Sequence, residues 1–207
     1  MNARQMLVLA CLPLAVGALQ GCIGAVAVGA GAAVLSIEDR RTSGTQVEDE
    51  GIELRSSNRI TERFGDKVHI NVTSYNRAVL LTGEAADAKA KEAIEQIVLG
   101  VPNVRGVTND LQVAGLSSFG ARSNDAFITS KVKARFVDAG KFNAVHVKVV
   151  TEAGAVYLLG IVTEKEAADA VEIARTTGGV RKVVKVLEYC RPTDEICRPR
   201  GQDPKKK

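Results

Sequence analysis

His69-Ile70-Asn71-Val72-Thr73, followed by Ala78-Val79-Leu80-Leu81-Thr82-Gly83, returns 77 residues later as His146-Val147-Lys148-Val149-Val150 and Ala155-Val156-Tyr157-Leu158-Leu159-Gly160. Two further blocks keep the same order at an offset of 76: Asp49-Glu50-Gly51-Ile52 with Asp125-Ala126-Phe127-Ile128, and Val104-Arg105-Gly106-Val107 with Val180-Arg181-Lys182-Val183. Four blocks in near-constant register mean one module used twice. Each copy has about 65–70 residues, near the lower limit for a domain that folds alone.

The second copy is the more legible. Ser123-Asn124-Asp125 supplies capping residue types ahead of a helix in which Ile128, Val132 and Phe136 recur at helical spacing. Residues 145–151 alternate apolar and polar, as a half-buried strand does. Glu152-Ala153-Gly154 turns the chain, and residues 155–162 return as a second strand. Thr163 then caps a helix carrying Ala167, Ala170, Val171 and Ala174, which Gly178-Gly179 ends before a last strand over residues 180–188. The predicted fold class is α+β: two tandem modules, each a three-stranded mixed sheet with two helices packed on one face, in the order αββαβ.

Upstream, Met6 to Leu19 is apolar apart from Pro13 and Gly17, and Arg4 is the only charged residue before Cys22. This run is shorter than the roughly 20 residues of a bilayer-spanning helix and reads as a signal peptide over residues 1–21. It ends in Leu19-Gln20-Gly21-Cys22, which resembles the bacterial lipobox. That resemblance implies cleavage before Cys22, a covalent diacylglycerol on its thiol and a further acyl chain on the same residue. Ile23 stands where an inner-membrane retention aspartate would sit, so the expectation is an outer-membrane anchor facing the periplasm. Residues 22–45 are then an acylated, flexible Gly/Ala-rich tether, 46–114 the first module, 115–123 a linker and 124–189 the second. Residues 190–207 form a basic tail expected to be disordered.

The composition is 45% apolar but only 4% aromatic, without Trp, so Val, Ile, Leu and Ala must fill two small cores. A net charge of +4 is too mild to argue for nucleic acid, and none is expected as a partner. The distribution is more telling. Residues 46–114 carry eight bases against eleven acids, a balance of −3, and residues 124–188 carry ten against eight, a balance of +2.

Phe127, Lys131 and Arg135 fall at i, i+4 and i+8 on a helix face beside the Ile128 stripe. One ring with two cations suits a surface that buries the aromatic among acyl chains and sets amines at phosphates. The alternative is a ring packed on the linker or the other module, with two solvated charges beside it. The first copy has Gly51, Arg55 and Arg59 there, so it keeps the cations without the ring. His69 and His146 share one strand parity that puts both on the polar face, which favours exposed histidines over a metal pair. No Ser-His-Asp arrangement and no Gly-rich phosphate loop is legible, so no catalytic residue, metal ligand or cofactor is assigned. Cys190 and Cys197 remain after processing. In an extracytoplasmic compartment they are expected to form a local disulfide, with two free thiols as the alternative.

The lipobox, the small-residue tether, Gly44-Thr45-Gln46-Val47, Ile70-Asn71-Val72-Thr73, Ser123-Asn124-Asp125 and Val162-Thr163-Glu164 together resemble the dual-BON-domain outer-membrane lipoproteins over roughly residues 19–188. The resemblance implies a non-enzymatic protein whose second BON domain binds anionic phospholipid, directs it to division sites and supports envelope integrity. Phe127 departs from the tryptophan of that pattern. The competing reading is a periplasmic adaptor that docks envelope-assembly or cell-wall-remodelling proteins.

Overall fold

A computed structural model describes residues 39–197. The segment read as a signal peptide, Cys22, the Gly/Ala-rich stretch and the last ten residues lie outside the described residues. The first module runs α1 (Ser43–Phe64), β1 (His69–Tyr75), β2 (Ala78–Ala85), α2 (Ala88–Leu99), β3 (Gly106–Asn109) and β4 (Gln112–Val113). The second runs α3 (Phe119–Ala139), β5 (Val147–Glu152), β6 (Ala155–Val162), α4 (Glu164–Arg175) and β7 (Lys182–Tyr189).

In each module the central strand pairs antiparallel with the strand before it and parallel with the strand after its crossover helix. β7 is continuous. Its counterpart is broken at Asp110-Leu111 into β3 and β4, both paired to β2. Ile52 and Ile60 of α1 close over Val79, Leu81, Ile94 and Val98, and Ile128, Val132 and Phe136 of α3 close over Val149, Val156, Leu158 and Ala170. All of these are side chains without polar atoms, so both small cores are filled by aliphatic packing, joined in the second module by the Phe136 ring.

Helix and strand caps explain the element limits. α3 begins at Phe119 because the Ser118 hydroxyl accepts from the Ala121 amide, so the helix consumes residues assigned to the linker and buries Asp125 inside itself. α1 likewise starts at Ser43, capped by Thr42, within the stretch read as tether. α4 carries a full capping box between Thr163 and Glu166. It ends at Arg175 with a Thr176 cap, one turn before Gly178-Gly179. His146 belongs to a 3₁₀ turn ahead of β5, so that strand is shorter than the alternation suggested.

Asp125 has a different task from capping. Its carboxylate accepts from the amides of Ala153 and Gly154, at 2.9 Å each, and holds the two-residue turn between β5 and β6. Asp49 does the same for Asn76 and Arg77, at 2.8 and 2.7 Å. All four turn residues have positive φ, between 47° and 73°. Three of them carry a Cβ, so the buried carboxylate offsets a backbone conformation that is otherwise costly. Gly83 and Gly160 are required by close approach, since a Cβ there would lie 2.0 Å from the His69 carbonyl oxygen and 2.3 Å from that of His146.

The helix-free faces of the sheets are buried too. Tyr75 and Leu80 from the first module pack with Tyr157, Leu159 and Ile161 from the second in a third apolar cluster, giving helix, sheet, sheet, helix layers. β2 and β6 are therefore covered on both sides, which is why β6 is a nearly unbroken apolar run and why Thr82 and Glu84 of β2 are buried despite being polar. The Tyr157 hydroxyl donates to Asp110 at 2.8 Å, at the break between β3 and β4, and burial with that carboxylate pushes the phenol above its usual range. Lys148 pairs with Glu53 at 2.8 Å across the same seam.

The residues just before α1 strap the modules together. Arg40 makes a bidentate ion pair with Glu166, at 2.7 and 2.9 Å, and donates to the Ile161 carbonyl at 2.7 Å. Arg41 bonds Asp39 and Asp49 and lies 4.1 Å over the Tyr75 ring. Residues 39–42 are thus docked rather than loose. After β7, residues 190–197 are also ordered, with Cys197 buried and Cys190 against the seam cluster.

Candidate functional site

α3 presents Phe127 outward, 62% exposed, while its neighbour Ile128 is buried. The Lys131 ammonium lies 4.8 Å from the centre of the Phe127 ring and donates to the Gly178 carbonyl. None of the ion pairs among the described residues includes Lys131. Arg135 is committed elsewhere: it donates to the Ile173 carbonyl at 2.9 Å and to the Thr177 hydroxyl at 2.7 Å, at the C-terminal end of α4. A cation there answers the orphan carbonyls and the negative pole of the helix.

The first module shows that this use of Arg135 is architectural. Arg59, its counterpart, donates to the Gly100 carbonyl at the end of α2, at 2.9 Å. Arg55, the counterpart of Lys131, is drawn to Glu48 at 2.6 Å. The second module has Asn124 in place of Glu48, so the Lys131 charge stays beside the ring. The sequence grouped one aromatic with two equivalent cations, whereas the structure keeps one aromatic–cation pair and turns Arg135 into a link between helices.

The neighbourhood adds a cation that the helical spacing missed. The Arg181 side chain lies across Gly154, where a Cβ would meet it at 3.0 Å, and the Arg181 amide donates to the Gly154 carbonyl at 2.9 Å. That turn is the one held by Asp125, two residues before Phe127. Arg181 and Lys182 are exposed, so the end of the module that carries Phe127 and Lys131 also carries two more positive groups. The only signal in the sequence was the repeated Val-Arg block, which marks a strand start rather than a charge.

Both halves of this arrangement, the buried aspartate in the first helix and the hairpin it grips, occur once within each of two matches to a known module. The BON domain description matches residues 49–115 and again 124–191. The chain belongs to the BON-domain family. It is 38% identical over 173 residues to the outer membrane lipoprotein DolP of Haemophilus influenzae, covering 83% of this chain and 90% of that one. It is 35% identical to a 21 kDa hemolysin of Actinobacillus pleuropneumoniae, covering 73% and 79%, and 32% identical to osmotically-inducible protein Y of Escherichia coli, covering 58% and 61%.

Between the BON domains the polar residues are not solvated as their parity suggested. The His69 Nδ1 lies 3.1 Å from Glu84, and His146 lies 3.5 Å from Glu166, so each half-buried imidazole has its own carboxylate and the two are not gathered into one ligand pair. Glu152 of the second BON domain reaches the first, where Asn71 donates to it at 2.7 Å. Burial pushes the Glu152 carboxyl up, with the Asn71 hydrogen bond opposing. Beyond the second domain, Cys190 and Cys197 are brought within bonding reach, with Cα atoms 6.2 Å apart. No helix among the described residues is long and apolar enough to cross a membrane.

Proposed function

We propose that this chain is a non-enzymatic lipoprotein of the outer membrane, acylated on Cys22 and facing the periplasm, whose second BON domain binds anionic phospholipid. The observation that carries the reading is the exposed Phe127 ring with Lys131 beside it, on the module of net positive charge. Arg181 and Lys182 extend the basic rim, and Arg135 positions α3 on α4. Support for the anchor comes from Leu19-Gln20-Gly21-Cys22 and from the likeness to the outer membrane lipoprotein DolP. Location at division sites and support of envelope integrity belong to the same proposal, as what the resemblance to dual-BON-domain lipoproteins implies. Cys190 and Cys197 are proposed as a local disulfide that pins the end of β7.

Flotation of the mature Cys22→Ser chain, which cannot be acylated, with vesicles of defined charge tests the lipid reading. Vesicles containing phosphatidylglycerol are expected to carry the protein upward and neutral vesicles to leave it behind. Equal behaviour with both would remove the anionic-lipid function. A second reading, a protein-docking adaptor, is favoured by Val47 and Leu54, both exposed and seven residues apart on α1 of the first module. It would take precedence if Val47→Ser with Leu54→Ser impaired envelope integrity while vesicle binding persisted.

A further inference from the structure

The seam between the modules gathers His69 at the start of β1, Glu84 near the end of β2 and Glu152 at the end of β5. One ligand atom from each lies within 4.8 Å of the other two. The two glutamates are 7% and 5% exposed, and neither is bonded to a lysine or arginine among the described residues. The nearest amine on β5, Lys148, is occupied by Glu53. Two buried carboxylates facing one imidazole leave negative charge that one histidine cannot balance, and buried charge needs pairing or a metal.

From this geometry we infer that His69, Glu84 and Glu152 form a divalent-metal site, selective for Zn²⁺, that clips the first module to the second. One imidazole nitrogen and two carboxylate oxygens are a three-ligand set that zinc accepts with a fourth position for water. Ca²⁺ and Mg²⁺ demand six or more oxygens, which this set does not provide. A tetrahedral ion with ligands at about 2.0–2.2 Å spaces them by roughly 3.3–3.6 Å. His69 and Glu84 already stand at 3.1 Å, so rotation of Glu152 completes the set.

Outer contacts orient the ligands in the way metal sites require. Asn71 donates to Glu152, and the amide and hydroxyl of Ser117 donate to Glu84 at 3.2 and 3.1 Å. Independently, the fully buried Thr82 hydroxyl has no hydrogen-bond partner among the described residues. Thr82 shares the seam-facing side of β2 with Glu84 and is paired in register with Asn71, the residue that holds Glu152. It is placed to accept from a metal-bound water. The ligands come from both modules, so occupancy stiffens the seam.

The test is calorimetric titration of Zn²⁺ into the untagged full chain, stripped with chelator and with its cysteines oxidised. One Zn²⁺ per chain is expected, at low micromolar affinity, unaffected by equal concentrations of Ca²⁺ or Mg²⁺, and the melting temperature should rise with the metal. His69→Ala and Glu152→Gln should each weaken binding at least tenfold and abolish that rise, whereas His146→Ala should change neither. Circular dichroism establishes that each variant is folded. Should His69→Ala fail to fold, Glu84→Gln and the visible spectrum of the Co²⁺-loaded chain replace it. Absence of saturable binding, wild-type affinity in the folded ligand variants, or displacement by Ca²⁺ or Mg²⁺ would overturn the site.

Discussion

Lys131 and Arg135 are one helical turn apart and carry the same charge, yet their surroundings assign them different work. Arg135 closes the end of α4 through Ile173 and Thr177, so Arg135→Gln is expected to lower the melting temperature by the loss of charged hydrogen bonds, about 1.5–3 kcal/mol. Lys131→Gln should leave stability nearly unchanged and weaken vesicle binding by about 1 kcal/mol, chiefly at low salt. Phe127→Ala should weaken binding at every salt concentration, by up to about 1.5–3 kcal/mol if the ring inserts fully. Thermal melts alongside vesicle titrations separate these outcomes, and a Phe127→Ala protein that binds as wild type would exclude α3 as the lipid reader. Helical spacing placed all three residues on one face correctly. It could not distinguish Arg135, because its partners lie 38 and 42 residues away, at and just beyond the end of another helix.

Among the elements, the hairpins depend on an aspartate from the preceding helix. Asp125→Asn keeps one acceptor oxygen for the amides of Ala153 and Gly154 but loses the charge, and about 2–3 kcal/mol of stability should go with it in urea unfolding. Asp125→Glu, too long for the same geometry, should not restore it. The start of α4 is similarly tied to the strap before α1. Burial pushes the Glu166 carboxyl up, but bonds from His146, Arg40 and the Thr163 amide outweigh it and hold the group well below its ordinary value of 4.5. The unfolded chain therefore takes up this proton first as the pH falls. Stability from Glu166 is complete above about 4.5 and drains below it, toward the depressed folded value. Arg40→Gln raises that folded value, so a series of melts from pH 6 to pH 2 should show a shallower acid slope in the variant. An unchanged slope would place the acid sensitivity elsewhere. The sequence showed Thr163 and Glu166 at capping-box spacing, because that pattern is local. It contained no sign of Arg40, which arrives from 126 residues upstream.

At the scale of the molecule, the apolar seam joins the two modules and is expected to make them unfold as one cooperative unit. Leu159→Lys places an amine between Leu80, Tyr75 and Tyr157, and calorimetry should then resolve two transitions where the wild type shows one. A single transition in the folded variant would mean that the modules unfold together for another reason. The sequence by itself determined the module: αββαβ twice, the core face of α3, the hairpins and the second helix. Those features rest on periodicity, turns and caps, which act over a few residues. Tertiary structure alone decided that the helix-free faces meet, that residues 39–42 strap the second module, and that His69, Glu84 and Glu152 converge. Alternation along a strand reveals which side chains share a face. What covers that face is set by contacts between residues far apart in the chain, and no local pattern encodes them.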